Sequence, residues 1–334
     1  MNVQVLKGGM LTTLQDSGRH GFQHLGVPVC GAMDFFAHRV ANLLVGNETD
    51  QATLEITLQG PRLQFDGDAL FAICGADLSP MIGGVAVPEG RPVRVHAGAV
   101  LDFGACLSGC RAYLAVQGGF AVAPVMGSRS TYETARIGGL EGRALRSGDV
   151  LPIGTAAHRL YPGLIADLAH SAREFSVPKW SVNQHNEKIG RSPQLIRIVS
   201  GRHWDDFPAP SRKILIDAQF RVAADSNRMG YRLTGPSVGI ESLRAMVSEA
   251  VTFGSIQIPH GGQPIILMAD RQTIGGYPKV AEVAGVDLHL AAQLKPGDRL
   301  RFELVSLALA QALWLKREQE ILAITEAIDH HLAQ

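Results

Sequence analysis

Cysteine, net charge and long apolar runs are all scarce in this sequence, and each shortage excludes a class of protein. The 334 residues include four cysteines, too few for a disulfide framework in a chain of this length. The 31 basic and 31 acidic residues balance, so no excess charge attracts nucleic acid or an anionic membrane surface. No apolar run approaches the roughly 20 residues that span a bilayer. We therefore expect neither a nucleic-acid partner nor a membrane partner.

Targeting, metal and nucleotide signals are missing as well. Met1–Lys7 has no apolar segment of the kind found in signal peptides, which predicts a cytoplasmic protein. Cys106 and Cys110 have no second Cys or His pair at zinc-site spacing, so we expect no metal. The sequence also contains no G-x-x-x-x-G-K-[ST] phosphate loop and no H-E-x-x-H motif.

Glycine and short apolar runs are plentiful, and they predict a mainly β fold with few helices. There are 37 glycines and 17 prolines, and runs such as Leu70–Cys74 and Arg111–Val116 have the length of strands. One helix is predicted after Asp34, a good N-cap residue, and it should end at Gly46. A second, amphipathic helix is predicted over the tail from about residue 305 to 332. It could dock on a partner protein or pack on its own barrel.

An internal repeat is the most informative feature of the sequence. Four segments recur in the same order, with offsets that drift between 193 and 209 residues. The pairs are Asp16–Arg19 with Asp225–Arg228, Leu54–Thr57 with Ser248–Val251, Ala72–Asp77 with Ile266–Asp270, and Gly98–Phe103 with Gly297–Phe302. We therefore expect two β-barrel modules related by duplication, residues 1–155 and 195–306. Residues 156–194 would connect them, and residues 307–334 would form a C-terminal helix.

Polar residues concentrate in two segments of the second module, Gln257–Gln263 and Asp270–Lys279. Two predicted apolar strands, Val251–Ile258 and Pro264–Met268, would bring them together at one edge of the barrel. A guanidinium and an ammonium suit a carboxylate or phosphate, adjacent glycines let backbone N–H groups approach an anion, and Asp or His can move protons. The candidate catalytic residues are Asp270, His260 and Lys279. The candidate substrate-binding residues are Gln257, Arg271, Gln272, Thr273, Gly275, Gly276 and Tyr277. The alternative is a plain Gly-Gly turn braced by an ion pair between Asp270 and Arg271.

The first module has weaker candidates, Arg19 and His24. Because the Asp–Arg pair of Asp16–Arg19 recurs as Asp225–Arg228, we interpret it as a loop brace present in both modules rather than as a site. His24 has no counterpart in the second module, and a structural role is as plausible as a catalytic one.

Two long runs resemble a known family. They are Leu11–Arg19, continuing through Gly31–Asp34 to Asn42–Asn47, and Pro264–Lys279, which reads Ile-Leu-Met-Ala-Asp-Arg-Gln-Thr-Ile-Gly-Gly-Tyr-Pro-Lys after its first two residues. They resemble the biotin-dependent carboxyltransferase or allophanate-hydrolase-subunit-2 family, which includes the C subunit of 5-oxoprolinase, the regulator KipA and one segment of urea carboxylase. The resemblance covers about residues 3–305.

The resemblance implies cyclophilin-like barrels and a multi-subunit enzyme. Among the family's members, a chain without biotin-carboxylase or biotin-carrier segments is most similar to the C subunit of 5-oxoprolinase. That enzyme uses ATP to open a small anionic amide, 5-oxoproline, to glutamate. The implied partners are the A subunit of 5-oxoprolinase and its KipI-like B subunit, and which of the three proteins binds ATP stays open. The alternatives are a biotin-dependent carboxyltransferase for urea or a related amide, and a KipA-like regulator that binds a kinase-inhibitor protein.

Overall fold

The computed structural model describes residues 1–155, 168, 174–183, 189–190, 192–239 and 246–332, so most of the predicted connector lies outside the described residues. The chain forms two compact units. Unit 1 comprises Met1–Arg19, Cys30–Glu187 and Glu320–Gln334, and unit 2 comprises His20–Val29 and Lys188–Gln319. The prediction of a mainly β fold with few helices is confirmed. No helix of the described residues is long and apolar enough to cross a membrane.

Unit 1 consists of two six-stranded sheets. Its strands are β1 (Asn2–Lys7), β2 (Leu11–Gln15), β3 (Thr53–Thr57), β4 (Arg62–Phe65), β5 (Ala69–Asp77), β6 (Met81–Ile82), β7 (Val85–Ala86), β8 (Pro92–Val95), β9 (Val100–Asp102), β10 (Ser108–Val116), β11 (Val150–Pro152) and β12 (Phe175–Ser176). The strand orders are β11-β1-β4-β9-β6-β7 and β12-β8-β5-β10-β3-β2. One apolar core, to which both sheets contribute, lies between them.

The apolar run of strand β5 is unbroken because both faces of the strand are buried. Side chains alternate between the two faces of a strand. Phe71 and Ile73 enter the core between the sheets, whereas Leu70, Ala72 and Cys74 pack against helix α1 (Phe35–Leu44) on the other face. A strand buried on both faces loses the polar alternation that would mark a surface strand.

Helix α1 begins and ends where the sequence predicts. The Asp34 carboxylate accepts a hydrogen bond from the Ala37 N–H, which satisfies one donor of the first turn. Gly46 follows the helix with φ of 75°, a conformation that glycine adopts without strain. The helix buries Phe36, Val40 and Leu44 on the sheet of β5.

Unit 2 is a closed barrel of seven strands. They are β13 (Gln194–Ser200), β14 (Gln219–Val222), β15 (Gly230–Thr234), β17 (Ser255–Gln257), β18 (Ile265–Leu267), β20 (Lys279–Val283) and β21 (Arg299–Leu304), in the order β13-β20-β17-β18-β15-β14-β21. The barrel closes through the parallel pair β13 and β21; its other pairs are antiparallel. Strands β16 (Glu249–Ala250) and β19 (Ile274–Gly275) form a separate two-stranded ribbon.

Among the described residues, three helices accompany the barrel strands along the chain. They are α2 (Ala209–Asp217), α3 (Leu288–Ala292) and α4 (Leu307–Leu332). The predicted tail helix is α4. Its first part packs on the barrel, where Ala310 contacts Ala284 and Val286. Its last part belongs to unit 1, where Ile321 and Ile328 join the cluster around α1.

Two repeated segments take equivalent places in the two units. Gly98 and Gly297 have φ of 88° and 93°, and each precedes a strand. Asp77 ends β5, and Asp270 lies just after β18. The pairing of Glu55 with Glu249 has no such counterpart, because Glu55 lies in a six-stranded sheet and Glu249 in the ribbon.

The predicted loop brace is wrong in both units. Asp16 accepts hydrogen bonds from the hydroxyls of Ser128 and Ser130, not from Arg19. The Arg19 guanidinium instead donates to the carbonyl oxygens of Val125 and Ser130.

In unit 2 the equivalent segment, Asp225–Arg228, forms different ion pairs. Asp225 pairs with Arg232 at 3.0 Å and Arg228 pairs with Asp270 at 2.9 Å. Each residue of the predicted Asp225–Arg228 pair therefore bonds to a more distant residue of the chain instead of to the other.

Candidate functional site

A cavity of about 300 Å³ lies on the outer face of the barrel in unit 2. Gln257, Ile265 and Arg232 stand directly opposite one another on three neighbouring strands, β17, β18 and β15. Residues opposite in an antiparallel sheet share a face, so the three side chains form one row. The adjacent row, with Ile256 and Ile266, is fully buried and faces the interior. The cavity is lined by Asp225, Asn227, Met229, Gly230, Arg232, Gln257, Ile265, Leu267, Gln272 and Tyr277.

Gln257 is the buried polar residue of this wall, with 1% of its surface exposed. Its Nε2 donates to the carbonyl oxygen of Tyr277 at 3.3 Å. A Cβ at Gly275 would lie 2.6 Å from that nitrogen, closer than non-bonded atoms approach, so only glycine leaves room for this amide. Gly275 does not have a positive φ, and its requirement is for space rather than for an unusual backbone conformation.

The ribbon of β16 and β19 is fastened by Lys279. The Lys279 ammonium donates to the carbonyl oxygen of Ala250 at 2.9 Å and lies 3.2 Å from the Glu249 carboxylate. The hydrogen bond from Lys279, with the charges of Arg202 and Lys279, holds the pKa of Glu249 below its ordinary value. Lys279 was predicted to hold an anionic ligand, and its ammonium is here engaged by the protein itself.

Asp270 and Arg228 form a buried ion pair. Both Asp270 oxygens accept hydrogen bonds from the guanidinium, from Nε and from one terminal nitrogen, each at 2.9 Å. The side chains are only 10% and 7% exposed. The sequence alternative, a pair between Asp270 and Arg271, is wrong in its partner. The Arg271 side chain donates to the carbonyl oxygens of Met268 and Ala269 and lies over the Phe253 ring.

The remaining sequence candidates separate into those at the cavity and those away from it. Gln272 and Tyr277 line the cavity with Gln257. Thr273 accepts the Val251 N–H through its carbonyl oxygen and does not line the cavity. Gly276 and His260 are exposed and do not line it either.

Neither secondary candidate of the first module lies at this cavity. Arg19 is fully buried in unit 1 and bonds to backbone carbonyls. His24 is exposed in the short 3₁₀ turn Gln23–Leu25, which the chain contributes to unit 2.

The sequence interpretation missed six side chains of the cavity: the apolar Ile265 and Leu267 of β18, and Asp225, Asn227, Met229 and Arg232. Asn227 accepts the Met229 N–H at 2.8 Å through Oδ1. Asp225 and Arg232 pair at 3.0 Å and are mostly exposed at the rim. The signal was the repeated segment Asp225–Arg228 itself, since it forms the loop before β15. The Asp–Arg pattern, however, was interpreted as a brace within the loop.

The cavity can bind a small polar molecule. It offers carboxamide groups from three side chains, a guanidinium at the rim, and an apolar side made by Met229, Ile265 and Leu267. Such a mixture of apolar walls and a few placed polar groups is typical of small-ligand sites. Among the residues that the structure describes, no group of three or more His, Cys, Asp or Glu could hold a metal ion.

A larger depression of about 610 Å³ lies in unit 1. Three of its ionisable lining residues, Arg62, Asp102 and Glu174, are exposed, and none of its charged residues is buried. Since a specific site needs polar groups held away from water, the smaller cavity beside the buried Gln257 is the better candidate.

Comparison with known proteins identifies the family. Residues 25–304 match the family described as carboxyltransferase domain, subdomain A and B. The C subunit of 5-oxoprolinase from Escherichia coli K12 is 38% identical over 318 residues, covering 95% of each chain. The protein of the same name from Haemophilus influenzae is 35% identical over 325 residues, covering 96% of each. The crystal structure of the K. lactis urea amidolyase superposes with a TM-score of 0.81 at 30% identity, covering 97% of this chain and 20% of that one. The chain therefore belongs to the carboxyltransferase domain family of subdomains A and B.

Proposed function

We propose that this chain is the C subunit of an ATP-dependent 5-oxoprolinase, which opens the lactam of 5-oxoproline to give glutamate. The observation that carries the proposal is the 38% identity to a C subunit of 5-oxoprolinase over 95% of both chains. A match over the full length of a stand-alone subunit supports an equivalent role in a complex. The reaction needs ATP, so we place the protein in the cytoplasm.

The cavity in unit 2 is the proposed substrate site. 5-Oxoproline is a small ring that carries one amide and one carboxylate. Gln257, Gln272 and Asn227 offer amide groups to the lactam, and Arg232 offers N–H donors to the carboxylate. The apolar side chains of Ile265 and Leu267 suit the ring methylenes. Tyr277 also lines the cavity, with 43% of its surface exposed.

The other sequence candidates take supporting roles in this proposal. Asp270 and Lys279 position the walls, because each is engaged by protein partners, Arg228 and Glu249. Gly275 leaves space for Gln257. Arg271 and Thr273 hold the segment between β18 and β19 through backbone contacts. His260 and Gly276 are exposed and would meet the substrate only through a partner protein.

ATP supplies the activation that makes the unreactive lactam carbonyl open to attack. The cavity, at about 300 Å³, lies at the small end of ligand pockets and suits the amide rather than a nucleotide. The contribution of this chain is to bind and orient the lactam, since groups fixed in place before reaction lower the barrier without reorganising. We assign nucleotide binding to the partner A and B subunits.

Reconstitution tests the proposal. Purified chain is mixed with the A and B subunits, ATP and 5-oxoproline, and glutamate release is measured with and without the chain. We expect release to require all three proteins. Equal glutamate release by the two partner proteins alone would exclude this function.

A second candidate is the carboxyltransferase subunit of a biotin-dependent enzyme for urea or a related amide. The K. lactis urea amidolyase, whose structure matches 97% of this chain, favours it. The chain spans only 20% of that protein. Carboxylation of urea that depends on added biotin carrier and biotin carboxylase, with no 5-oxoproline hydrolysis, would support this alternative.

A further inference from the structure

The orientation of the Gln257 amide is fixed by its partner. The Tyr277 carbonyl oxygen can only accept, so the group that faces it is Nε2, at 3.3 Å. Gln257 lines the cavity, and no hydrogen bond from the described residues reaches its Oε1. Gln257 therefore presents an acceptor.

The orientation of the Asn227 amide is fixed in the opposite sense. The Met229 N–H can only donate, so the atom that faces it is Oδ1, at 2.8 Å. The Nδ2 group is then the portion of this side chain left to a ligand. Asn227 lines the same cavity as Gln257 and presents a donor.

An acceptor and a donor on one cavity match a particular kind of ligand. In a ring amide the N–H and the C=O point to the same side, because the ring forces the cis form. An ester in the same ring replaces the N–H donor with an oxygen that can only accept. That oxygen would face Oε1 of Gln257 without a hydrogen bond, and a buried group left without its partner weakens binding strongly.

We propose that Gln257 and Asn227 recognise the lactam group itself, Gln257 accepting the ring N–H and Asn227 donating to the ring C=O. The pair makes this protein selective for lactams over lactones of the same shape. This inference rests on the proposed function and deepens it. Urea carries the same two groups, but it lacks the carboxylate for which the Arg232 guanidinium stands at the rim.

The first experiment compares ligands on the complex of this chain with the A and B subunits. Binding is measured by calorimetry without ATP for 5-oxoproline, for the lactone 5-oxotetrahydrofuran-2-carboxylate, and for urea. We expect the lactone to bind about 10- to 100-fold more weakly than 5-oxoproline, the range that corresponds to leaving one buried acceptor without its hydrogen bond. Urea should not bind at millimolar concentration. Equal affinities for lactam and lactone would overturn the inference.

The second experiment changes one amide at a time. Gln257→Met removes the acceptor at similar volume, so it should weaken 5-oxoproline binding about tenfold or more and reduce the lactam-to-lactone ratio to within about threefold of unity. Asn227→Asp keeps the bond to the Met229 N–H but presents a carboxylate to the ring carbonyl. It should weaken lactam and lactone alike, about tenfold or more.

A matched control is Gln263→Met. The Gln263 amide bonds to the backbone of Gly235 through both its oxygen and its nitrogen and does not line the cavity, so its loss should not change the ratio. Asn227 is exposed, so Asn227→Asp should fold even if Gln257→Met does not. Unchanged constants in Asn227→Asp would overturn the inference by themselves.

The outcomes separate this inference from the function on which it rests. Glutamate release that does not require this chain would exclude the proposed function, and the lactam assignment with it. If release requires the chain but Gln257→Met keeps the wild-type ratio and Asn227→Asp keeps the wild-type affinities, the function stands and the assignment to Gln257 and Asn227 is removed.

Discussion

At Gly275 the addition of a single methyl group, the Cβ of alanine, should change the shape of the cavity. The next glycine in the chain differs sharply, since among the described residues a Cβ at Gly276 would meet only the Ser248 hydroxyl oxygen, at 3.5 Å. The two adjacent positions therefore share their neighbours in sequence but differ in the space around them.

Gly275→Ala should displace the Gln257 amide and lower kcat/KM for 5-oxoproline by about tenfold or more, with a cost in unfolding free energy of about 1–2 kcal/mol. Gly276→Ala is the control and should change both by little. Glutamate release in the reconstituted complex and urea denaturation measure the two quantities. Equal loss in both variants would show that the space beside Gly275 is not what matters.

The ion pair between Arg228 and Asp270 can be tested as a unit. Removing one partner leaves a buried charge unpaired, so Arg228→Met should cost about 3–5 kcal/mol of unfolding free energy. The double variant Arg228→Met with Asp270→Leu should recover most of that loss. We expect the double variant to retain measurable glutamate release, because Asp270 positions the loop. A stable but fully inactive double variant would instead indicate proton transfer by Asp270.

Glu89 in unit 1 gives a pH dependence of stability. Burial, and then the nearby Asp77 charge, raise the pKa of Glu89 to about 8. Its Oε1 is buried and accepts no hydrogen bond from the described residues. The folded state thus holds a proton that the unfolded chain releases at a lower pH, so stability falls as pH rises towards 8. Burial lowers the pKa of His38 to about 4, which gives the opposite slope only below its ordinary value of 6.5.

Between pH 6.5 and 8 the unfolding free energy of the wild type should therefore fall by up to about 1.4 kcal/mol per pH unit from this group. Glu89→Gln cannot release the proton and should show a flatter dependence. Asp50→Asn, at an exposed carboxyl, should keep the wild-type slope. Urea titrations at several pH values measure this pH dependence of the unfolding free energy. Parallel curves for wild type and Glu89→Gln would contradict a raised pKa at Glu89.

Some residues that line the candidate site could be chosen from residue types alone. Gln257, Gln272 and Tyr277 line the cavity, and they were chosen because polar residues cluster beside glycines. Asn227 and Arg232 could not be chosen in this way, because only the pairing of β15 with β18 brings them beside Gln257. Lys279 was predicted to be a cation available to a ligand, because Glu249 is distant in sequence. The two form an ion pair because the ribbon brings Glu249 beside Lys279.

At the scale of elements, helix α4 depends on a close contact with the barrel. A Cβ at Gly285 would lie 2.9 Å from the Trp314 ring, so the indole rests directly on the backbone there. Trp314 also lines an apolar groove of about 470 Å³ with Val199, Val283 and Leu307.

Trp314→Ala should lower the unfolding free energy by about 2 kcal/mol, the amount expected for removing a large, half-buried aromatic side chain. Leu315→Ala, in which the original side chain is 62% exposed, should change it by less than about 0.5 kcal/mol. Chemical denaturation distinguishes them. Similar small decreases in unfolding free energy for Trp314→Ala and Leu315→Ala would mean that the first half of α4 contributes little to the stability of the barrel.

The helices were the elements most accessible to sequence reasoning. Asp34 and Gly46 fix α1 through local chemistry, and the apolar spacing of Ile321 and Ile328 marks α4. The strands of unit 2 are shorter than the predicted runs, since the run Val251–Ile258 contributes only Ser255–Gln257. Sheet membership depends on long-range pairing, so it could not be inferred from the apolar runs.

At the scale of the molecule, the chain passes more than once between its two compact units. Unit 2 includes His20–Val29, and unit 1 includes Glu320–Gln334. The internal repeat could not predict that these segments belong to the other unit. A repeat shows which segments are similar in sequence, and it does not show which segments are in contact.

A fragment of residues 1–187 would lack Ile321 and Ile328, which are 3% and 2% exposed in the cluster around α1. Losing two buried isoleucines should cost several kcal/mol, at about 2–3 kcal/mol for each buried aliphatic side chain. We expect the fragment to bind a hydrophobic dye and to be stabilised by added residues 188–334. A fragment 1–187 as stable as the whole chain would contradict this.

The parallel pair β13 and β21 has a consequence for synthesis. Gln194–Ser200 cannot find their partner until Arg299–Leu304 have left the ribosome, about a hundred residues later. Until then β13 keeps a free hydrogen-bonding edge, the feature by which incomplete chains join one another. Nascent chains that stall before residue 299 should therefore be the ones that cells must shield or degrade.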